Sequence, residues 1–176
     1  MRKNVEMIDA VLVSTVKNLS ERLDHAATVA EIADLTRHQP HIFAVFQDYL
    51  TDHREEVISL ATRLLSIVWR MFESASNGPL ERVEKEVAED VFDRTTDLLF
   101  NLDDADQRFV DRLVNPAYSR QPYVMFFVLE RCTDRNVMRY DCPLSDVELG
   151  LLFALLKSAV DAMHGAGSSS SAVYIA

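Results

Sequence analysis

Two stretches of the chain, RHQPHIFAVFQDYLTD (residues 37–52) and SRQPYVMFFVLERCTD (residues 119–134), follow one plan 82 positions apart: Gln-Pro, a run of large apolar residues, then Thr-Asp. Proline fixes φ near −65° and has no N–H to donate, so it breaks helix interiors and sheet ladders but suits the first turn of a helix. Each stretch is therefore expected to begin a helix at its proline, and each helix is too apolar to sit in water. Four of fourteen aligned positions are identical: Gln39 and Gln121, Pro40 and Pro122, Thr51 and Thr133, Asp52 and Asp134. Most of the others pair apolar with apolar or acid with acid. This is a repeated structural motif, a way to start a buried helix and turn out of it.

The rest of the chain is also patterned for helices. No segment alternates apolar and polar residues as a half-buried strand would. A first helix is expected over about 4–24. A short second one is expected to open at Thr28, with Glu31 three positions on completing a capping box. The Pro40 helix follows, and then a long helix under a second box, Asp52 and Glu55. Its residues Val57, Leu60, Ala61, Leu64, Leu65, Val68, Trp69, Met71 and Phe72 cover so much of the circumference that it should be central. After Asn77-Gly78-Pro79 the same order returns: a long helix over 80–102, a short one over 105–114, the Pro122 helix, and a very apolar helix opened by a Ser145/Glu148 box. The expectation is an all-α protein of about eight helices in two pseudo-repeated four-helix units, 1–78 and 79–165, sharing one core. Residues 166–176, GAGSSSSAVYIA from Gly165 onward, form a Gly/Ser-rich tail expected to be flexible.

Charge and composition exclude several functions. The net charge is −10, and both halves are acidic: 8 Lys+Arg against 11 Asp+Glu up to Gly78, and 10 against 17 after it. No basic half or tail is offered to a phosphate backbone, which argues against nucleic acid and anionic membrane surfaces. The longest uncharged apolar run has eight residues, far below the ~20 that span a bilayer. The amino-terminal stretch is broken by Glu6 and Asp9 and lacks the apolar core of an export signal, so a cytoplasmic protein is expected. Four glycines leave no material for a phosphate-cradling loop, and there is no GxSxG. Cys132 and Cys142 are expected to be reduced structural thiols; the rival is a disulfide closing the ten-residue loop between them.

Two short patterns still invite chemistry. Asp34 and His38 are spaced i, i+4 on one helical face, with His41 just past the proline, and these are ligand types that hold Zn or Fe. The second stretch has Arg120 and Tyr123 in place of the two histidines, after Ser119, so a solvated helix end with His41 part-packed is the plainer reading. The segment TVAEIADLTRHQPHIFAVF (28–46) resembles the helix-turn-helix of bacterial transcription regulators of the tetracycline-repressor type. That resemblance implies a ligand-responsive regulator whose recognition helix is PHIFAVFQDYL. The turn here holds Arg37 and His38 where that family has Gly and a small apolar residue. The helix itself has no Lys or Arg with which to position phosphates or read bases. With no catalytic residue set and no cofactor motif, the leading expectation is a non-enzymatic helical protein-interaction or regulatory module that binds protein partners or itself as a homodimer. A degenerate tetracycline-repressor-type regulator and a metal-binding Asp/His corner are the alternatives.

Overall fold

The computed structural model describes residues 5–76, 78–100, 114–133 and 144–166. Among them are seven α-helices and no strand: α1 Ala10–Ser20, α2 His25–His38, α3 Pro40–Leu50, α4 Glu55–Ala75, α5 Lys85–Phe100, α6 Pro122–Thr133 and α7 Asp146–Ala166, with a 3₁₀ turn at Pro116–Tyr118 before α6. The expected helix over 105–114, Asp134, Cys142 and the Gly/Ser-rich tail fall outside the described residues, save Val114, which is helical, and Ala166, which ends α7. No helix among the described residues is long and apolar enough to cross a membrane.

Two long helices carry the core. α4 packs on α1, α2, α3 and α7, and α7 packs on α3, α4, α5 and α6. Ala61, Leu65, Val68, Trp69, Met71 and Phe72 of α4 are fully buried, as are Ala154 to Leu156, Ala159, Val160, Ala162 and Met163 of α7. Burial extends to polar positions that a one-sided helix would show to water. Ser66 and Ser158 are both sealed, and their hydroxyls donate to the carbonyls of Arg63 and Ala154 at 2.8 Å. Each large side chain buried this way stabilises the fold by about 1.5–3 kcal/mol.

The helix starts are corrected in four places. α1 begins at Ala10, not near residue 4, because the Asp9 carboxylate caps it by accepting from Leu12 N. Asp24, not Thr28, caps α2 through Ala27 N, and Thr28 instead donates its hydroxyl to Asp24 O. α4 starts after Arg54 with no side-chain cap, and Asp52 stays in an exposed turn. Pro79 does not open a helix: residues 80–84 are not helical and α5 starts at Lys85. The third box is as expected, with Glu148 accepting from Ser145 N at 2.7 Å and Ser145 Oγ accepting from Glu148 N at 3.2 Å.

Pro40 and Pro122 each occupy the first position of a helix, α3 and α6. Thr51 and Thr133 close those helices the same way, donating their hydroxyls to Gln47 O and Leu129 O. The glutamines do more than precede a helix. Gln39, with no exposed surface, donates to Glu81 O at 2.9 Å and accepts from Val83 N at 3.0 Å. Gln121, equally buried, donates to Glu6 O at 3.1 Å and accepts from Ile8 N at 2.9 Å. Each amide thus mimics a strand partner for the extended lead-in to a distant helix, and Val83 and Ile8 drop into the core beside it. The second Nε2 proton of Gln121 meets His164 Nδ1 at 3.1 Å. That imidazole accepts, and burial followed by the nearby Arg120 charge lowers its pKa and favours the neutral ring.

Further contacts set the direction of these helices. Lys17 pairs with Glu130 at 3.1 Å and Glu21 with Arg131, so α1 and α6 run parallel from the Gln121 clamp onward. Tyr49 OH donates to Asp93 at 2.6 Å and meets Thr96 at 3.2 Å, while Phe46 packs edge-on to Phe92, so α3 and α5 run parallel from the Gln39 clamp. Replacing either Gln39 or Gln121 with Ala strands a buried N–H and a carbonyl, each costing about 1–3 kcal/mol. Chemical denaturation of Gln39→Ala and Gln121→Ala should therefore show losses of about 2–4 kcal/mol. Gln47→Ala, which gives up one bond to the Thr62 hydroxyl, should lose about 1 kcal/mol or less. A second expectation concerns acid. Hydrogen bonds from Ser145 N and from Arg54 hold the Glu148 carboxyl down at about 2, against an ordinary 4.5. Its contribution to stability is complete above pH 4.5 and is lost as pH falls toward 2. Glu148→Gln should flatten the acid limb of the stability curve in that window.

Candidate functional site

α1 and α2 both rest on α4, but the side chains between them do not close the gap. The facing residues of α2 are Ala27 and Ala30, which end at Cβ, and the result is a groove of about 300 Å³. Val16, Leu19 and Leu23 form its apolar side, Ser20 and Asp34 contribute polar edges, and Glu31 and Arg70 also line it.

Glu31 is the unusual member. It is only 6 % exposed, yet it carries a carboxylate. Its Oε1 accepts from Arg70 Nε at 3.1 Å, and Arg70 Nη1 also donates to Glu73 Oε2. Burial raises the Glu31 pKa, and the Arg70 hydrogen bond and charge offset that only in part. The Arg70 guanidinium lies 5.3 Å above the Trp69 ring, and His38 stacks on the same indole at 5.9 Å. The Trp69 N–H is buried and finds no hydrogen-bond partner among the described residues.

The residues singled out from the sequence separate around this groove. Asp34 accepts from Arg37 at 2.9 Å, and the His38 ring meets the Asp34 backbone carbonyl through Nδ1 at 2.8 Å. His41 is half-buried on α3, beyond the clamped Gln39. Among the described residues, no three His, Cys, Asp or Glu side chains gather as metal ligands. The helix that would enter a DNA groove, α3, buries Ile42, Val45, Phe46 and Leu50; its exposed positions are Ala44 and Asp48, neither a cation. Cys132 is buried, and burial pushes its thiol up to about 12, so it is inert near neutrality. Comparison of the chain with protein-family models, with curated proteins and with solved structures yields no match.

The groove and the glutamine clamps were not among the expected sites. One signal pointed to the first: Arg70 interrupts the apolar run of a helix that is otherwise core, and a charge there needs a counter-charge from a neighbour. Glu31 supplies it, turned inward instead of capping α2.

Arg70→Leu would leave the Glu31 carboxylate without its guanidinium, at a cost of about 1–3 kcal/mol for a partly buried pair near pH 7. The Glu31 pKa in the folded state would rise further above its unfolded value. The variant should therefore regain stability relative to the parent as pH falls through that raised pKa toward 4.5. Arg94→Leu, which breaks the exposed pair with Asp90, should change stability by under about 1 kcal/mol with no such pH dependence.

Proposed function

We propose that the chain is a non-enzymatic helical module that binds a protein partner, and that it arose by duplication of one four-helix unit. Paired contacts at constant offsets support the duplication. The clamping residues Gln39 and Gln121 are 82 positions apart, as are Thr51 and Thr133; the segments they hold, Glu81 to Val83 and Glu6 to Ile8, are 75 apart. The same two offsets relate Tyr49–Thr96 to Arg131–Glu21.

The observation that carries the binding reading is an apolar surface at the start of α1 and α6. Met7 is 60 % exposed, Val11 76 %, Tyr118 65 % and Phe126 50 %, with Tyr123 also exposed. The Gln121 bonds to Glu6 and Ile8 bring Met7 and the first turn of α1 beside the first turn of α6. At the matching offsets the other half holds Arg82, Glu86, His41 and Ala44 in place of Met7, Val11, Tyr123 and Phe126. The fold accepts charged or small residues at those positions, so their apolar counterparts are not required for folding. Aromatic and Met side chains clustered on a surface are the composition of interface centres.

The test is capture from native lysate with quantitative mass spectrometry, alongside light scattering, for the parent, for Tyr123→Ser/Phe126→Ser and for the control His41→Ser. The expected result is a partner, or a doubled mass from self-association, that persists with the control and disappears with the double variant. The double variant should stay folded, within about 1 kcal/mol of the parent. Identical capture and mass for all three proteins would remove the reading.

A further inference from the structure

The groove between α1 and α2 differs from an ordinary packing gap because a nearly buried carboxylate forms part of its wall. Glu31 Oε1 is taken by Arg70, while its second oxygen accepts no hydrogen bond among the described residues. That oxygen is not among the sealed, unsatisfied atoms of the protein, so it keeps some solvent contact on a residue that lines the groove. We infer that the groove binds a small organic cation: an ammonium seated on the free oxygen of Glu31, with an apolar body lying along Leu19, Leu23 and Ala30.

Charge complementarity selects that chemistry. Facing the space are Glu31, Asp34 and Arg70. Arg70 already donates to both Glu31 and Glu73, and Asp34 is paired with Arg37, which points out to solvent. An anion would meet carboxylates before it met a free guanidinium donor. A neutral apolar molecule would strip water from Glu31 and return no hydrogen bond, which is unfavourable for a charged group. An ammonium replaces that water with a charge-assisted bond. The volume, about 300 Å³, lies at the small end of ligand sites and holds about ten water-sized groups. The raised pKa of Glu31 agrees with a carboxylate that has less counter-charge than its burial requires. The same ammonium chemistry could arrive as a free amine or as a lysine side chain of a peptide.

Phenethylammonium is a suitable probe, with 2-phenylethanol as its neutral counterpart, each titrated into the full chain at neutral pH by calorimetry and by amide NMR. The expected result is saturable 1:1 binding of phenethylammonium at least tenfold tighter than of the alcohol, with shifts confined to α1, α2 and the Arg70 turn of α4. Glu31→Gln should weaken it at least tenfold. Ala30→Leu, which fills the groove and leaves the Glu31–Arg70 bond intact, should abolish it with the fold preserved. An acetyl-capped lysine peptide competing with the probe would identify a peptide source, and failure to compete would identify a free amine. No saturable binding up to about 10 mM, equal affinity for the alcohol, or unchanged binding by Ala30→Leu would overturn the inference and leave Glu31–Arg70 as a brace between helices. None of these outcomes bears on the α1–α6 surface, so the two readings stand or fall separately.

Discussion

A non-helical backbone that dips into the core must find hydrogen-bond partners, and here two side-chain amides meet that demand. Residues 6–8 and 81–83 are neither helix nor sheet, and Ile8 and Val83 enter the core while their neighbours face water. Gln121 and Gln39 each offer one acceptor and one donor at the spacing a neighbouring strand would provide. Glutamine is suited to this because its amide carries both functions on a stem long enough to reach past a helix start. The proline beside each glutamine has a complementary part. It removes one of the N–H groups that a helix start leaves without an intrahelical partner, so the Gln-Pro pair settles polar accounts for two chain segments at once.

The consequences spread through the packing. With the lead-ins fixed, Ile8 and Val83 are held in the core, and the parallel alignments α1–α6 and α3–α5 follow from those anchor points. The long helices α4 and α7 are then covered on nearly every side. That explains why serines can sit in their interiors, their hydroxyls folded back onto the preceding turn. Where the cover is incomplete, between α1 and α2, the alanines of α2 leave a space and an ion pair lines it. Where the cover is complete but its outer side is apolar, at the start of α1 and α6, the molecule presents its aromatic surface.

Helical class, the proline starts and the two central helices were legible because each is a local property, set by periodicity or by a single residue's backbone. The Ser145/Glu148 box was legible for the same reason. What failed was the choice between equivalent local options. Thr28 and Asp24 were both competent caps for α2; Asp24 takes the role, and Glu31, which local spacing assigns to a capping box, bonds instead to Arg70, 39 positions away. Residues 80–84 carry no signal against helix. They are held out of helix beside Gln39, and a contact 44 positions distant leaves no trace in a hydrophobic pattern. The role of the two glutamines was hidden likewise, although their repetition marked them. The groove was the least legible feature, since alanines on a helix face look the same whether a neighbour packs on them or not.

The reciprocal clamps also impose an order on assembly. Ile8 waits for Gln121 across 113 residues, and Lys17 waits for Glu130 across the same distance. The first helix can rest on α4 once α4 has formed, but its clamp to Gln121 closes only after a far longer stretch of chain is present. Contacts of such long range slow folding, because the loop must close before anything is gained. Until that clamp closes, Met7, Ile8 and Val11 lack their α6 neighbour, and an apolar segment is open to other contacts.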